Sequence, residues 1–299
     1  MKKTYTIVFF LSAGLTLVAL AAFIMFGFNL GVDLKGGSSM ELNFQGVRPS
    51  FDEIHKSLDG NFGSVGFELV AIGDSGLIIK SGELSEEMHQ GILNNLDTDF
   101  ASSKIEEKQF NSIGPTIGQE LKSKSITGVI VVILMVMVYI AYVFRKMSAV
   151  LSPWAMGLAA IAALFHDIVI PVGIFALLGH YYDVEISAVF VAALLTILGY
   201  SISDTVVIFD RVRENFMRNR AKTDFGSIVH TSIMQTLARS LNTTFTTLLS
   251  LIAIYFFGGE SLKYFSLAMI IGIFLGAYSS IFVASPLLVW LSDWTKKKR

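Results

Sequence analysis

Ile186–Phe209 reads ISAVFVAALLTILGYSISDTVVIF and carries one charge, Asp204, in 24 residues. A helix needs about 20 mostly apolar residues to cross a bilayer core. The stretch therefore reads as a membrane span with a carboxylate inside it, and the rest of the chain repeats the pattern. Tyr5–Phe28, Ser125–Phe144, Ser240–Gly259 and Tyr264–Ser292 are free of charge. Met147–Tyr182 is broken only by His166, Asp167 and His180.

The composition agrees with that reading. Of 299 residues 53% are hydrophobic, and the mean hydropathy is +0.62. Charged residues make up 16%, against about 25% in an ordinary soluble domain. Disorder is excluded and a purely water-soluble fold is disfavoured. A formal net charge of −1 gives no case for bulk nucleic-acid binding. Five prolines without a low-complexity tract exclude collagen-like or mucin-like material. The absence of cysteine excludes disulfides, thiolate metal sites and cysteine nucleophiles.

Loop charge sets the number of spans. Lys2-Lys3, Arg145-Lys146, the cluster Arg211–Lys222 and the Lys296–Arg299 tail all face the cytoplasm if Met147–Tyr182 crosses once. Two crossings there would put the basic cluster outside. Six spans follow, with both termini cytoplasmic: 5–28, 125–144, one within 148–179, 186–209, 239–259 and 264–292. A cytoplasmic basic loop is expected at 210–237 and a basic tail at 293–299. Ser148–Trp154 is expected along the inner interface, with Pro153 near a helix start. Ala19-Leu20-Ala21 imitates a signal cleavage site, but the apolar run continues through Phe26 and favours an uncleaved anchor.

Residues 29–122 form the long hydrophilic segment, with seven basic and 15 acidic residues and a formal charge of −8. The topology places it outside the cytoplasm. Ser39–Phe44 alternates like a strand. Ser50 and Glu53 make a capping box for a short helix to about Leu58. Phe67–Ile72 and Gly76–Lys80 suggest a hairpin, Ser85 caps a second helix, and Lys104–Phe110 suggests a last strand. The order β-α-β-β-α-β implies an α+β, ferredoxin-like domain. His55 and His89 lie on separate helices, where a surface role is expected in preference to metal binding. Gly31–Gly37 (GVDLKGG) reads as a tight turn needing positive φ rather than a phosphate cradle.

The ionisable groups inside the spans are the candidate site, since charges at membrane depth are costly and usually functional. Asp204 lies about 8–9 Å inside the cytoplasmic end of its span at 1.5 Å per residue. Thr205 and Ser201 offer hydroxyls nearby, and Gly199 suits close helix approach. Arg239 opens the fifth span, with Thr243 four residues on and on the same face. Arg239, Thr243 and Asp204 can sit at similar depth, which allows an Asp–Arg pair, the minimum equipment of a proton-coupled switch. His166 and Asp167 point about 100° apart and are expected to contact different neighbours, as a relay or as helix pins. Each group has a structural alternative, a satisfied polar contact that fixes packing. Gly272 and Gly276 read as a packing motif without chemistry. No cofactor or metal is expected, and an enzyme is the least supported class because no nucleophile–base pair or nucleotide loop is found.

GVDLKGG, FHDI (165–168), GYSISDTVVIFDRVREN (199–215), ARSLNTTFTTLL (238–249) and GAYSSIFVASPLLVWL (276–291) together resemble the SecF family, within the resistance–nodulation–division superfamily. The resemblance covers nearly the whole chain except the divergent outer domain. It implies a six-span half of a pair with SecD, beside the SecYEG channel and YajC, in the bacterial cytoplasmic membrane. It implies that the proton-motive force assists preprotein export. It implies Asp204, Arg239 and Thr243 as proton-path residues, completed by an aspartate of SecD. A half-transporter of small lipophilic compounds and a non-transporting assembly scaffold stand as the alternatives.

Overall fold

The computed structural model describes residues 3–145, 152–218 and 224–297. Two compact units result: a helical one formed by 1–29 and 126–299, and a smaller one formed by 30–125.

Six helices are long and apolar enough to cross a membrane. They are α1 (Lys3–Phe26), α5 (Pro115–Val143), α6 (Pro153–Tyr182), α7 (Ala188–Arg218), α8 (Phe225–Phe257) and a last span, Leu262–Thr295. That last span combines α9 (Glu260–Ser279), a π-helical segment Ser280–Ala284 and α10 (Ser285–Lys297). α6 and the last span are mostly enclosed, 56% and 67%, whereas α5 is 6% enclosed. The interior is thus built on α6, α7 and α9. Small residues let these helices approach. Ala159, Ala160 and Ala163 give α6 a flat buried face. Gly173 of α6 lies against the backbone of Ala19 in α1. Gly276 of α9 lies so close to α7 that a Cβ there would come 2.9 Å from the Cβ of Ser201. Tyr5, Phe144, Met156, Phe209, Val229 and Leu288 fill the larger core beside them.

Several boundaries differ from the sequence reading, for one reason: charge ends membrane burial but not a helix. The second spanning helix begins at Pro115 rather than 125 and runs through Glu120 and Lys124, which pair at 2.7 Å. The expected loop 210–237 is largely helical. α7 continues to Arg218 through ion pairs spaced three and four apart: Asp210–Arg213, Arg211–Glu214 and Glu214–Arg218. α8 begins at Phe225, where Asp224 Oδ2 accepts from the Ser227 N–H. Asn215 Nδ2 donates to Ser232 Oγ and Gln235 Oε1, both at 2.9 Å, and ties the two extensions together. Arg239 therefore lies inside α8 rather than at its start. Residues 219–223 of that expected loop lie outside the described residues, as do residues 148–151 of the expected interfacial segment. Pro153 stands at the start of α6.

The smaller unit contains a helical turn, α2 (Val32–Lys35), then β1 (Gly37–Phe44), α3 (Phe51–Phe62), β2 (Glu68–Ile72), β3 (Gly76–Ser81), α4 (Glu86–Asp99) and β4 (Ile105–Ile113). The four strands form an antiparallel sheet in the order β2-β3-β1-β4, the ferredoxin-like arrangement. Met40, Leu42, Phe44, Leu77 and Ile79 pack with Ile54, Leu58, Ile92 and Leu96 of the helices. The Ser50–Glu53 capping box is formed, with Ser50 N donating to Glu53 Oε2 at 2.9 Å. Ser85 accepts from the Met88 N–H. After α2 the chain turns through Gly36 at φ 85° and Gly37 at φ 127°. A Cβ on Gly36 would meet Pro115 Cα at 2.6 Å, so both conformation and space require glycine there. His89 is not a surface group. It is buried, stacked on Phe110 with ring centroids 3.7 Å apart, and bonded through Nε2 to Glu107 at 2.8 Å. An aromatic ring on a helix face that meets the sheet is sheltered by its neighbours whatever its polarity.

Candidate functional site within the helix bundle

Asp167 and Asp204 lie within the apolar runs of α6 and α7, away from the charged helix ends, and the structure surrounds them differently. Asp204 sits on α7, half-buried and facing α8. Its Oδ2 accepts a hydrogen bond from Ser240 Oγ at 2.6 Å. Among the described residues no ion pair joins it to Arg239, so the Asp204–Arg239 pair that the sequence allows is not formed in this structure. The reason is helical phase. Ser240 follows Arg239 by one residue, about 100° around the helix. Ser240 is turned inward and buried, leaving Arg239 on the exposed side of α8. Thr243 is exposed on that same side, and its hydroxyl donates to the carbonyls of Arg239 and Ser240. Asn242 and Thr246 extend the exposed polar row. Arg239 also lines a cleft of ≈ 250 Å³ with Val206, Asp210, Glu214, Gln235 and Thr236.

Ser201 and Thr205 do not serve Asp204 either. They lie on the inner face of α7 and turn to α6 and the last span. Ser201 Oγ donates to Asp167 Oδ2 at 2.5 Å, and Thr205 Oγ1 bonds Ser280 Oγ at 2.7 Å. Gly199, expected at a helix contact, has open space where a Cβ would stand.

Asp167 is fully buried on α6. Its Oδ2 takes hydroxyls from Ser201 of α7 and Ser279 of α9, the latter at 2.7 Å, and its Oδ1 lies 2.8 Å from His166 Nδ1. His166 and Asp167 therefore touch each other as well as different neighbours. A 100° offset separates the Cα–Cβ directions, but both side chains are long enough to close the gap. Sequence reasoning gave no role to Ser240 or Ser279. A serine in an apolar helix carries no local mark of what it faces.

The arrangement gives one charge a closed set of donors from three helices and gives another a single donor beside an open polar face. A fully satisfied buried polar group fixes a packing arrangement. Among the described residues no group of three or more His, Asp or Glu suits a metal.

The comparisons with known proteins bear on the same residues. A family model described as "Protein export membrane protein SecD/SecF, C-terminal" matches residues 93–294, and one described as "SecD/SecF GG Motif" matches 21–46. The chain is 38% identical over 282 residues to the protein translocase subunit SecF of Thermobaculum terrenum, covering 92% of this chain and 87% of that one. It is 35% identical to the protein translocase subunit SecDF of Brucella abortus, covering 94% of this chain but 36% of that longer one. The crystal structure of SecDF from Thermus thermophilus, a translocon-associated membrane protein, superposes with a TM-score of 0.80 at 32% identity. It is matched by 98% of this chain, which spans 38% of its length. With a family model matched over most of its residues and a relative this similar from end to end, this multi-pass membrane chain belongs to the SecD/SecF family of protein export membrane proteins.

Proposed function

We propose that the chain is a subunit of the Sec protein translocase that works with SecD and uses the proton-motive force to assist preprotein export. Asp204 is the group that binds and releases the proton. Arg239 and Thr243 line the path beside it. The carrying observation is the open side of this site. Asp204 has one hydrogen-bond donor, Ser240, while Arg239, Asn242, Thr243 and Thr246 present a polar row on an exposed helix face. Such a row is costly against lipid and calls for another membrane chain to cover it. SecD fits that role, because SecDF relatives hold both halves in one longer chain. The SecYEG channel, YajC and the preprotein are the further partners. The seat is the bacterial cytoplasmic membrane, with both termini inside and the acidic α+β domain outside.

The energy suffices. One charge crossing 100 mV releases about 2.3 kcal/mol, and the field acts on a proton relayed through the bilayer. That moves a balanced two-state equilibrium substantially. Removing the titratable oxygen removes the coupling but not the bundle.

The test is export into inverted membrane vesicles with and without a proton gradient, comparing wild type with Asp204→Asn in the assembled complex. The gradient-stimulated increment disappears in the variant while the ATP-driven base rate persists. Normal gradient-stimulated export by Asp204→Asn would falsify the assignment. The scaffold alternative predicts that outcome.

A further inference from the structure

His166 lies on α6 with its ring enclosed, and only one of its two nitrogens is satisfied. Nδ1 is 2.8 Å from Asp167 Oδ1, whereas Nε2 is buried without a hydrogen-bond partner among the described residues. Proteins pair nearly all buried polar atoms, and an exception calls for a cause. The ring stacks on Tyr278 of α9 at 6.0 Å between centroids. It also lines an apolar groove of ≈ 330 Å³ with Phe9, Thr16 and Leu17 of α1 and with Val283 and Leu287 of the last span. Nε2 is thus the one unpaired polar atom of an otherwise complete hydrogen-bonded cluster, in a residue that borders this groove.

The charge balance of that cluster is informative. Asp167 has three neighbours able to donate to it: His166 Nδ1, Ser201 Oγ and Ser279 Oγ. Among the described residues no lysine or arginine pairs with Asp167; its one ion-pair neighbour is His166. The titratable neighbours are Asp167 from the same helix and Tyr278 from α9. α1 contributes Ser12 and Thr16, and Ser12 is bonded to Tyr278 OH at 2.7 Å. A carboxylate beside a neutral imidazole leaves one net negative charge in the bundle interior, an expensive state. A proton on Nε2 cancels it and gives an imidazolium–carboxylate pair of zero net charge.

We propose that His166 and Asp167 form a proton-binding site separate from Asp204, with His166 Nε2 as the atom that is loaded. Loading takes a proton from hydronium in water, forms one N–H bond at Nε2 and leaves a neutral water. Unloading reverses it. The state of the pair is felt beyond α6, because Asp167 is held by Ser279 at the border of the π-helical segment 280–284, and such segments collect at functional places in helices. The proposal stands on the geometry of α6, α7 and α9 and is independent of the role given to Asp204.

The experiment is nitrogen NMR of the ¹⁵N-histidine-labelled full chain in lipid nanodiscs, titrated from pH 5 to 9. The chain has five histidines. His166→Gln assigns the resonance. If that variant does not assemble, replacing His55, His89, His180 and His230 by Gln leaves the same signal alone. The expected result is a reversible passage of Nε2 between its bare and protonated shifts within that range. In Asp167→Asn the midpoint moves by about one pH unit or more, because a directly bonded charge is lost. In Asp204→Asn the transition stays. An Nε2 that holds one protonation state across the whole range overturns the proposal, and so does a midpoint unmoved by Asp167→Asn.

Discussion

Asp167 is closed in by His166, Ser201 and Ser279, drawn from α6, α7 and α9, while Asp204, one span away, has Ser240 and an exposed flank. Both are lone acids in apolar helices, and the sequence around them looks equally unfavourable. The difference lies in how many helices have committed a donor. A carboxylate satisfied from three helices is a fastener: losing it strands its partners. A carboxylate with one donor strands fewer partners when it is lost. The same residue type thus sits in two different surroundings, set by packing rather than by chemistry.

That contrast can be broken or sharpened by substitution, with thermal unfolding of the purified chain as the common measure. Asp167→Ala should cost the most, about 3–5 kcal/mol, since it removes one partner of a buried polar cluster. A loss as small as that of a surface change would end the fastener reading. Gly276→Leu comes next, at about 1–3 kcal/mol or more, because α9 cannot hold a larger side chain against Ser201 without moving. Ser240→Ala should cost about 1 kcal/mol, the net worth of one hydrogen bond. Asp204→Asn should be the mildest of the four, below about 1 kcal/mol, because an amide still accepts from Ser240. Its effect on gradient-driven export is nevertheless the greatest. Equal destabilisation by Asp167→Ala and Asp204→Asn would erase the distinction.

A solvent-facing carboxylate supplies the baseline. The hydroxyl and the N–H of Ser50 hold the Glu53 carboxyl below the usual carboxylate range. For Glu86, Gln90 and His89 do the same. A carboxyl lowered on folding contributes stability above its unfolded value, near 4.3, and that contribution is lost as the pH falls through the folded value. Hydrogen exchange in α3 and α4, corrected for intrinsic rates, should therefore accelerate slightly below about pH 4. Ser50→Ala should weaken that pH dependence in α3, where the backbone N–H remains, and leave α4 unchanged.

Much of the architecture is legible in the residues. Charge-free runs of span length give the six crossings, and the capping box and strand alternation give the ferredoxin-like domain. These are local signals, carried by neighbours along the chain. Helix ends are less legible: Arg211, Arg213 and Glu214 read as a loop because they are charged, yet their spacing of three and four lets α7 run on. The site is legible in part. Asp204 stands out because it is alone among apolar residues. Its partner does not, because Arg239 looks chemically apt while Ser240, one residue later, has the phase to reach it.

What the amino-acid order determined by itself is the set of spans, the small α+β domain and the identity of the intramembrane charges, since hydropathy and periodicity act over a few turns. What the tertiary structure alone decided is which charge is closed and which is open. Ser201 and Ser279 lie 34 and 112 residues from Asp167. Only the close approach of α6, α7 and α9 through their small residues brings them to one carboxylate, and no pattern within a single helix encodes that meeting.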